Sequence, residues 1–224
     1  MKLIHKYKSP NFNKRKKDKI LFIIIHYTAL KNYEEAITYL CNPKNKVSSH
    51  YLISQKGKIF NLVDEKKRAW HAGISFWNGH RDLNSLSIGI ELDFSENKIN
   101  NHYSKHMISS LIVLLKKLKK KYNIDKKNIL GHSDIAPFRK KDPGGKFPWY
   151  ELQKLNIVFN PNQKNKYKNN IIINWFYKNK INSNNKIALF ILAIIGYNTF
   201  EFNHNSHSLS KLILVYQNHF MQFN

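Results

Sequence analysis

Three places in the chain carry side chains whose types and spacing could do chemistry. His26 closes the apolar run Ile20-Leu21-Phe22-Ile23-Ile24-Ile25, Glu91 interrupts the alternating stretch Ser85 to Phe94, and a turn-rich segment, Gly131 to Gly144, carries His132 and Asp142 ten positions apart. Each has an ordinary reading on its own. A His after a strand is commonly hydrogen-bonded scaffolding, and Asp142-Pro143-Gly144 is turn chemistry, because Asp accepts from nearby backbone donors and Gly permits positive φ. Glu91 would simply be solvated. Taken together they suit a catalytic zinc site, where two neutral imidazoles and one carboxylate leave a fourth tetrahedral position open to water. The single cysteine, Cys41, excludes an internal disulfide framework and any multi-cysteine metal site.

The elements needed to position these residues are legible in the hydrophobic pattern. Ile20 to Thr28 reads as a buried β-branched strand, and Tyr33 to Leu40 as a short helix ended near Asn42-Pro43. His50 to Ser54 and Lys58 to Val63 flank Gln55-Lys56-Gly57, a hairpin with the glycine a tight turn wants. In Ser85 to Phe94, Ile88, Ile90 and Leu92 share one face, which sends Glu91 to the other. The clearest helix is Ser104 to Tyr122, with Met107, Leu111, Leu114, Leu115, Leu118 and Tyr122 at helical spacing and lysines gathered toward the C-terminal end. Asn128 to Gly131 is a short strand. The order β-α-β-β-β-α-β predicts an α/β fold, a mixed central β-sheet flanked by helices, with a small C-terminal helical segment.

Five blocks then resemble the type 2 N-acetylmuramoyl-L-alanine amidases, relatives of phage lysozyme-type amidases and peptidoglycan-recognition proteins. They are Ile25-His26-Tyr27-Thr28, Val47-Ser48-Ser49-His50-Tyr51-Leu52-Ile53, Ala69-Trp70-His71-Ala72-Gly73, Leu86-Ser87-Ile88-Gly89-Ile90-Glu91-Leu92, and Gly131-His132-Ser133-Asp134-Ile135-Ala136-Pro137 with Arg139-Lys140-Lys141-Asp142-Pro143-Gly144. The resemblance covers roughly residues 18 to 158. It implies zinc held by His26, His132 and Asp142, with Glu91 as the proton-transferring glutamate and Lys140 as the lysine that stabilises developing charge. Tyr27, Trp70, His71, Ala72, Arg81 and Asn84 are candidates for lining the groove, and His50 and His71 are read as packing or substrate contact. The expected reaction is hydrolysis of the amide between N-acetylmuramic acid, or its anhydro form, and L-alanine in peptidoglycan or muropeptides. The alternative on the same scaffold is a peptidoglycan-recognition protein that binds without cleaving. Glycoside hydrolysis would need a second carboxylate beside Glu91, and none is apparent.

The expected organisation is a basic N-terminal segment over 1–17, a zinc amidase catalytic domain over 18–159, a linker over 160–170 and a helical accessory segment over 171–224. In the last, Ile187 to Tyr197 and Ser208 to Phe220 resemble the first two helices of a small peptidoglycan-binding domain; the alternative is an accessory helical hairpin, and docking of these helices on the catalytic domain is the expectation. The 224 residues carry a formal charge of +24, of which +7 falls in residues 1–20 and +6 in residues 160–224. Such a balance suits an anionic partner, but no groove-reading motif accompanies it, so nucleic acid is not the expected partner. Peptidoglycan or muropeptide, with its stem carboxylates, is. No stretch approaches the roughly 20 apolar residues of a membrane span, and the first apolar run lacks a cleavage site. A monomer in the cytoplasm is the expectation, with the cell envelope or secretion as the alternative.

Overall fold

The computed structural model describes residues 2–16, 18–97, 101–161, 169–181, 183–200 and 206–222. In chain order its elements are β1 (Leu3–Ile4), β2 (Phe12–Lys14), β3 (Phe22–Tyr27), α1 (Tyr33–Cys41), β4 (Tyr51–Ile53), β5 (Ile59–Asn61), β6 (Lys67–Ala69), α2 (Leu83–Leu86), β7 (Ser87–Leu92), α3 (Lys105–Tyr122), β8 (Ile129–Gly131), α4 (His132–Ile135), α5 (Trp149–Lys154), α6 (Asn169–Lys178), α7 (Asn184–Ile195) and α8 (Ser206–Phe220). Six strands form one mixed sheet in the order β1-β5-β4-β7-β3-β8, and β2 pairs with β6 apart from it. The expected mixed sheet with flanking helices is what the chain builds.

Alternation along the central strands assigns the two faces. Ile23 and Ile25 of β3, with Ile88, Ile90 and Leu92 of β7, pack against α3 through Met107, Leu111, Leu114, Leu115 and Leu118. Helix α3 begins where Ser104 accepts from the Met107 N–H and ends at Asn123, which adopts a left-handed conformation, φ 52°. Phe22 and Ile24 face the opposite way, with Leu130 of β8, and so does His26. The hairpin between β4 and β5 turns at Gly57, φ 74°, as its sequence requires.

The N-terminal stretch, expected as a basic segment over 1–17, pairs with both sheets where it is described. β1 lies parallel to β5, β2 is antiparallel to β6, and Arg15 is buried. Its Nε donates to Glu65 O at 3.0 Å, Nη1 to Asn84 O at 3.2 Å and Ser85 O at 2.9 Å, and Nη2 to Ser87 O at 2.9 Å. Burial lowers its pKa to about 10, which leaves it charged at neutral pH. A guanidinium pays for such burial only where its donors are all engaged.

At the other end, residues 162–168 of the expected linker lie outside the described residues. Helix α6 already begins at Asn169. Helices α7 and α8 lie against the sheet: Leu192, Tyr197, Leu209, Leu212 and Val215 share one apolar cluster with Phe22, Ile24 and Leu130. Inside that contact the Asp134 carboxylate, fully buried on α4, accepts from the Gly131 N–H at 2.7 Å and from Tyr197 Oη at 2.7 Å, and His219 Nδ1 lies 2.7 Å from it. No helix among the described residues is long and apolar enough to cross a membrane.

Replacing Arg15 by Ala would strand four carbonyls and open a void. Urea unfolding of Arg15→Ala should therefore show a loss of about 3 kcal/mol or more. The exposed neighbour substitution Lys14→Ala should change stability by less than about 0.5 kcal/mol.

Candidate metal centre

Parallel pairing of β3 with β7 sets His26 directly beside Glu91 on one face of the sheet, at the carboxyl ends of both strands. β8 pairs with the other edge of β3 and delivers His132 as the first residue of α4. The loop after α4 returns Asp142, whose backbone oxygen accepts from the Ser133 N–H at 2.8 Å. Three donor atoms thereby converge. His26 Nδ1 and His132 Nδ1 are 2.9 Å apart, and they lie 3.1 and 3.0 Å from Asp142 Oδ2. All three residues are buried.

Proton bookkeeping shows what this arrangement needs. His132 Nε2 lies 3.1 Å from Ala72 O, and a carbonyl only accepts, so the ring hydrogen sits on Nε2 and Nδ1 presents a lone pair. Two imidazole nitrogens and a carboxylate oxygen at this spacing repel one another unless a cation, or a hydrogen on His26 Nδ1, lies between them. A tetrahedral zinc ion, about 2.0–2.1 Å from each ligand, holds its ligands about 3.3 Å apart. The donor set and its spacing fit such an ion.

The electrostatics are consistent with that need. Burial, reinforced by His132, lowers His26 to about 4, so it is neutral and able to ligate. Burial alone would raise the Asp142 carboxyl, but His132 and His26 hold it well below the usual carboxylate range. Glu91 goes the other way: burial, then the Asp142 charge, push it up to about 8 against the opposing pull of Lys140. Its Oε2 is buried with no hydrogen-bond partner. The centre opens into a cleft of about 470 Å³ that Tyr27, His71, Glu91, Lys140 and Lys141 help to line.

Of the other residues singled out from the sequence, Tyr27 and His71 reach this cleft and the remainder do not. His50 is fully buried beneath it: Nδ1 accepts from the Gly89 N–H at 3.0 Å, and Nε2 donates to Lys67 O at 3.0 Å. Of the two roles expected for it, packing and substrate contact, this geometry matches packing, with Arg15 Nη2 also 3.0 Å from Nε2. Trp70 Nε1 donates to Asn13 Oδ1 at 3.0 Å, outside the cleft. Ala72 acts through its carbonyl, and Asn84 Oδ1 accepts from the His71 and Ala72 N–H groups at 2.9 and 2.7 Å, fixing the loop that holds His132. Arg81 and Asn84 line a neighbouring cleft of about 610 Å³. Sequence reasoning missed Arg139, which clamps the same loop by donating to Ala72 O at 2.8 Å and Ile74 O at 2.7 Å.

Fold and site together define an α/β protein with three residues that could hold one metal ion at the carboxyl ends of parallel strands. Residues 16–145 match the family described as N-acetylmuramoyl-L-alanine amidase, Amidase_2, and the chain belongs to that family. It is 39% identical over 152 residues to the N-acetylmuramoyl-L-alanine amidase AmiD of Escherichia coli K12, a match spanning 62% of this chain and 54% of that one. With the 1,6-anhydro-N-acetylmuramyl-L-alanine amidase AmpD of Haemophilus influenzae it shares 35% identity over 160 residues, 63% of this chain and 85% of that one. The aligned part spans about half the length of the E. coli AmiD. The structure of E. coli AmiD in complex with anhydro-N-acetylmuramic acid-L-Ala-D-gamma-Glu-L-Lys superposes with a TM-score of 0.75 at 30% identity, over 97% of this chain and 84% of that one. AmpDh3 of Pseudomonas aeruginosa with anhydromuramic pentapeptide gives a TM-score of 0.75 at 29% identity, over 96% of this chain and 87% of that one.

Burial of neutral histidines ties stability to pH. His26 takes its proton near 4 and His50 near 3 in the folded chain, against about 6.5 when unfolded. Below about 6.5 the unfolded chain therefore binds more protons, so stability is lost as pH falls. Urea unfolding of the metal-free protein should give a free energy that declines steadily from about pH 6.5 to about pH 4.

Proposed function

We propose that this protein is a zinc-dependent N-acetylmuramoyl-L-alanine amidase, hydrolysing the amide between N-acetylmuramic acid, or its anhydro form, and L-alanine in peptidoglycan or muropeptides. The observation that carries the reading is the convergence of His26, His132 and Asp142 on one point, with an unpartnered Glu91 carboxyl beside it in an open cleft. A protein that only bound the muropeptide would need neither a complete ligand set nor a buried carboxyl left free to exchange protons. The relatives' names and the muropeptides in the two complexes support the substrate class.

When bound by these three residues, zinc supplies Lewis acidity, polarising a carbonyl and making water acidic enough to react near neutral pH. The rest falls to the chain itself. Glu91, with a pKa near 8 before any cation enters, sits close to the range where one carboxyl can take a proton from the attacking water and return it to the leaving amine. Lys140 lines the same cleft, where its ammonium can offset negative charge on the former carbonyl oxygen. Lys141 and the half-buried phenol of Tyr27 extend the wall on which a stem peptide bearing carboxylates would lie. Every proposed group comes from one chain, so a monomer is sufficient.

Purified protein should contain about one equivalent of zinc per chain and release stem peptide by mass spectrometry, with anhydro-muropeptides and sacculi compared side by side. His132→Ala should lose both zinc and turnover. Glu91→Gln should keep zinc and lose about 10²- to 10⁴-fold in rate. Unchanged turnover after complete metal removal would overturn the proposal. The same Glu91→Gln protein, metal-free, should be more stable than its parent at about pH 8 and no more stable at about pH 4. The parent carboxyl keeps its proton up to about 8 when folded but loses it near 4.5 when unfolded, so its stability contribution fades as pH rises between those values.

A further inference from the structure

The two histidines of the centre are prepared in different ways. His132 has its hydrogen fixed on Nε2 by a carbonyl, Ala72 O. His26 has no carbonyl against its Nε2; that nitrogen faces another imidazole, His71 Nδ1, at 3.0 Å. Either ring of such a pair could carry the hydrogen between them, and only one choice leaves His26 Nδ1 with the lone pair a metal requires.

The choice is made two residues away. Ser87 Oγ lies 2.5 Å from Leu83 O, which can only accept, so the hydroxyl hydrogen is committed there. The same Oγ lies 3.2 Å from His71 Nε2 and has only lone pairs left to offer, so His71 must carry its hydrogen on Nε2. A neutral His71 protonated on Nε2 presents a lone pair at Nδ1, which makes His26 Nε2 the donor and frees His26 Nδ1. Resting on the metal-dependent reading above, we propose that His71 is a positioning residue, anchored by Ser87, that fixes the tautomer of His26 and so sets the metal affinity of the centre.

The surroundings hold this relay in place. Asn84 Oδ1 accepts from the His71 backbone N–H at 2.9 Å, and Arg15 Nη2 donates to Ser87 O at 2.9 Å. The His71 ring lies against Gly89, where a Cβ would sit 2.5 Å from its Cγ, so no other residue at 89 lets the ring occupy this position. His71 is thus a wall of the cleft whose working nitrogens point away from any substrate, one to Ser87 and one to His26. Partners behind a ligand of this kind typically change metal affinity by about 10- to 100-fold when removed.

The test combines ring nitrogen-15 spectra of the zinc-free protein with zinc affinity measured by chelator competition at one fixed pH. The parent should show His26 protonated at Nε2 and bare at Nδ1. His71→Phe keeps a ring and removes the acceptor; His26 should become a mixture of tautomers and zinc affinity should fall about 10- to 100-fold. His71→Asn, whose amide oxygen can stand where Nδ1 stood, should recover most of both. Ser87→Ala, which deletes one hydroxyl, should weaken zinc in the same direction while Ser87→Thr does not, and this pair decides the matter if His71→Phe does not fold. Parent-like tautomer and affinity in Ser87→Ala or in folded His71→Phe would overturn the inference. Failure of the parent itself to bind zinc would overturn the metal reading instead, while the nitrogen-15 spectra of the zinc-free chain would still judge the hydrogen-bond order.

Discussion

Two imidazole nitrogens and a carboxylate oxygen held about 3 Å apart form the constraint around which this molecule is organised. Such a cluster is stable only where its atoms are held in place and a cation or a ring hydrogen lies among them, so the fold must fix it. Each atom is accordingly fixed from behind. His26 sits at the end of a strand hydrogen-bonded on both sides, His132 opens a helix directly after a strand, and Asp142 is tied through its backbone to the residue following His132. Rigid parallel strands are well suited to this, because neighbouring strand ends present side chains at fixed separation and on a known face.

Burial raises both carboxyls of this neighbourhood, and their partners send them opposite ways. Asp142 faces imidazoles and stays ionised, whereas Glu91, one strand away and lacking a partner for Oε2, is driven to hold its proton. Separation of acid strengths between adjacent groups is how a site obtains both a permanent anion and an exchangeable proton at one pH. Register sets up this separation: the pairing of His26 with Glu91 places the glutamate beside the centre but outside the three converging residues.

The sequence discloses the parts of this arrangement whose physics is local. A β-branched run ending in His, an alternating strand ending in Glu and an amphipathic helix with a serine cap each follow from periodicity, and all three fall within two residues of the observed bounds. The three residues that converge at the candidate centre also stand out, through order and spacing of short blocks. What stays hidden depends on distant partners. β1, β2 and β6 are two or three residues long, and Phe-Asn-Lys or Lys-Arg-Ala carries no strand signature. Arg15 looks like one cation among eight until four carbonyls from elsewhere in the chain close on it. His50 and His71 occupy similar motif blocks, yet one is engaged by the Gly89 and Lys67 backbone and by Arg15, the other by His26 and Ser87. Only the positions of Gly89, Ser87 and Lys67 around them separate the two roles.

Asp134 gives one oxygen to Tyr197 and the other to His219 while holding the backbone turn that launches His132. A helical appendage joined only by surface contact could be exchanged between genes like a cassette. This one is tied in deeper, because removing it leaves a buried carboxyl with the Gly131 N–H but without Tyr197 and His219. A change at Tyr197 or His219 therefore acts on the turn that carries His132, so the helices at the back of the sheet bear on the geometry at its strand ends.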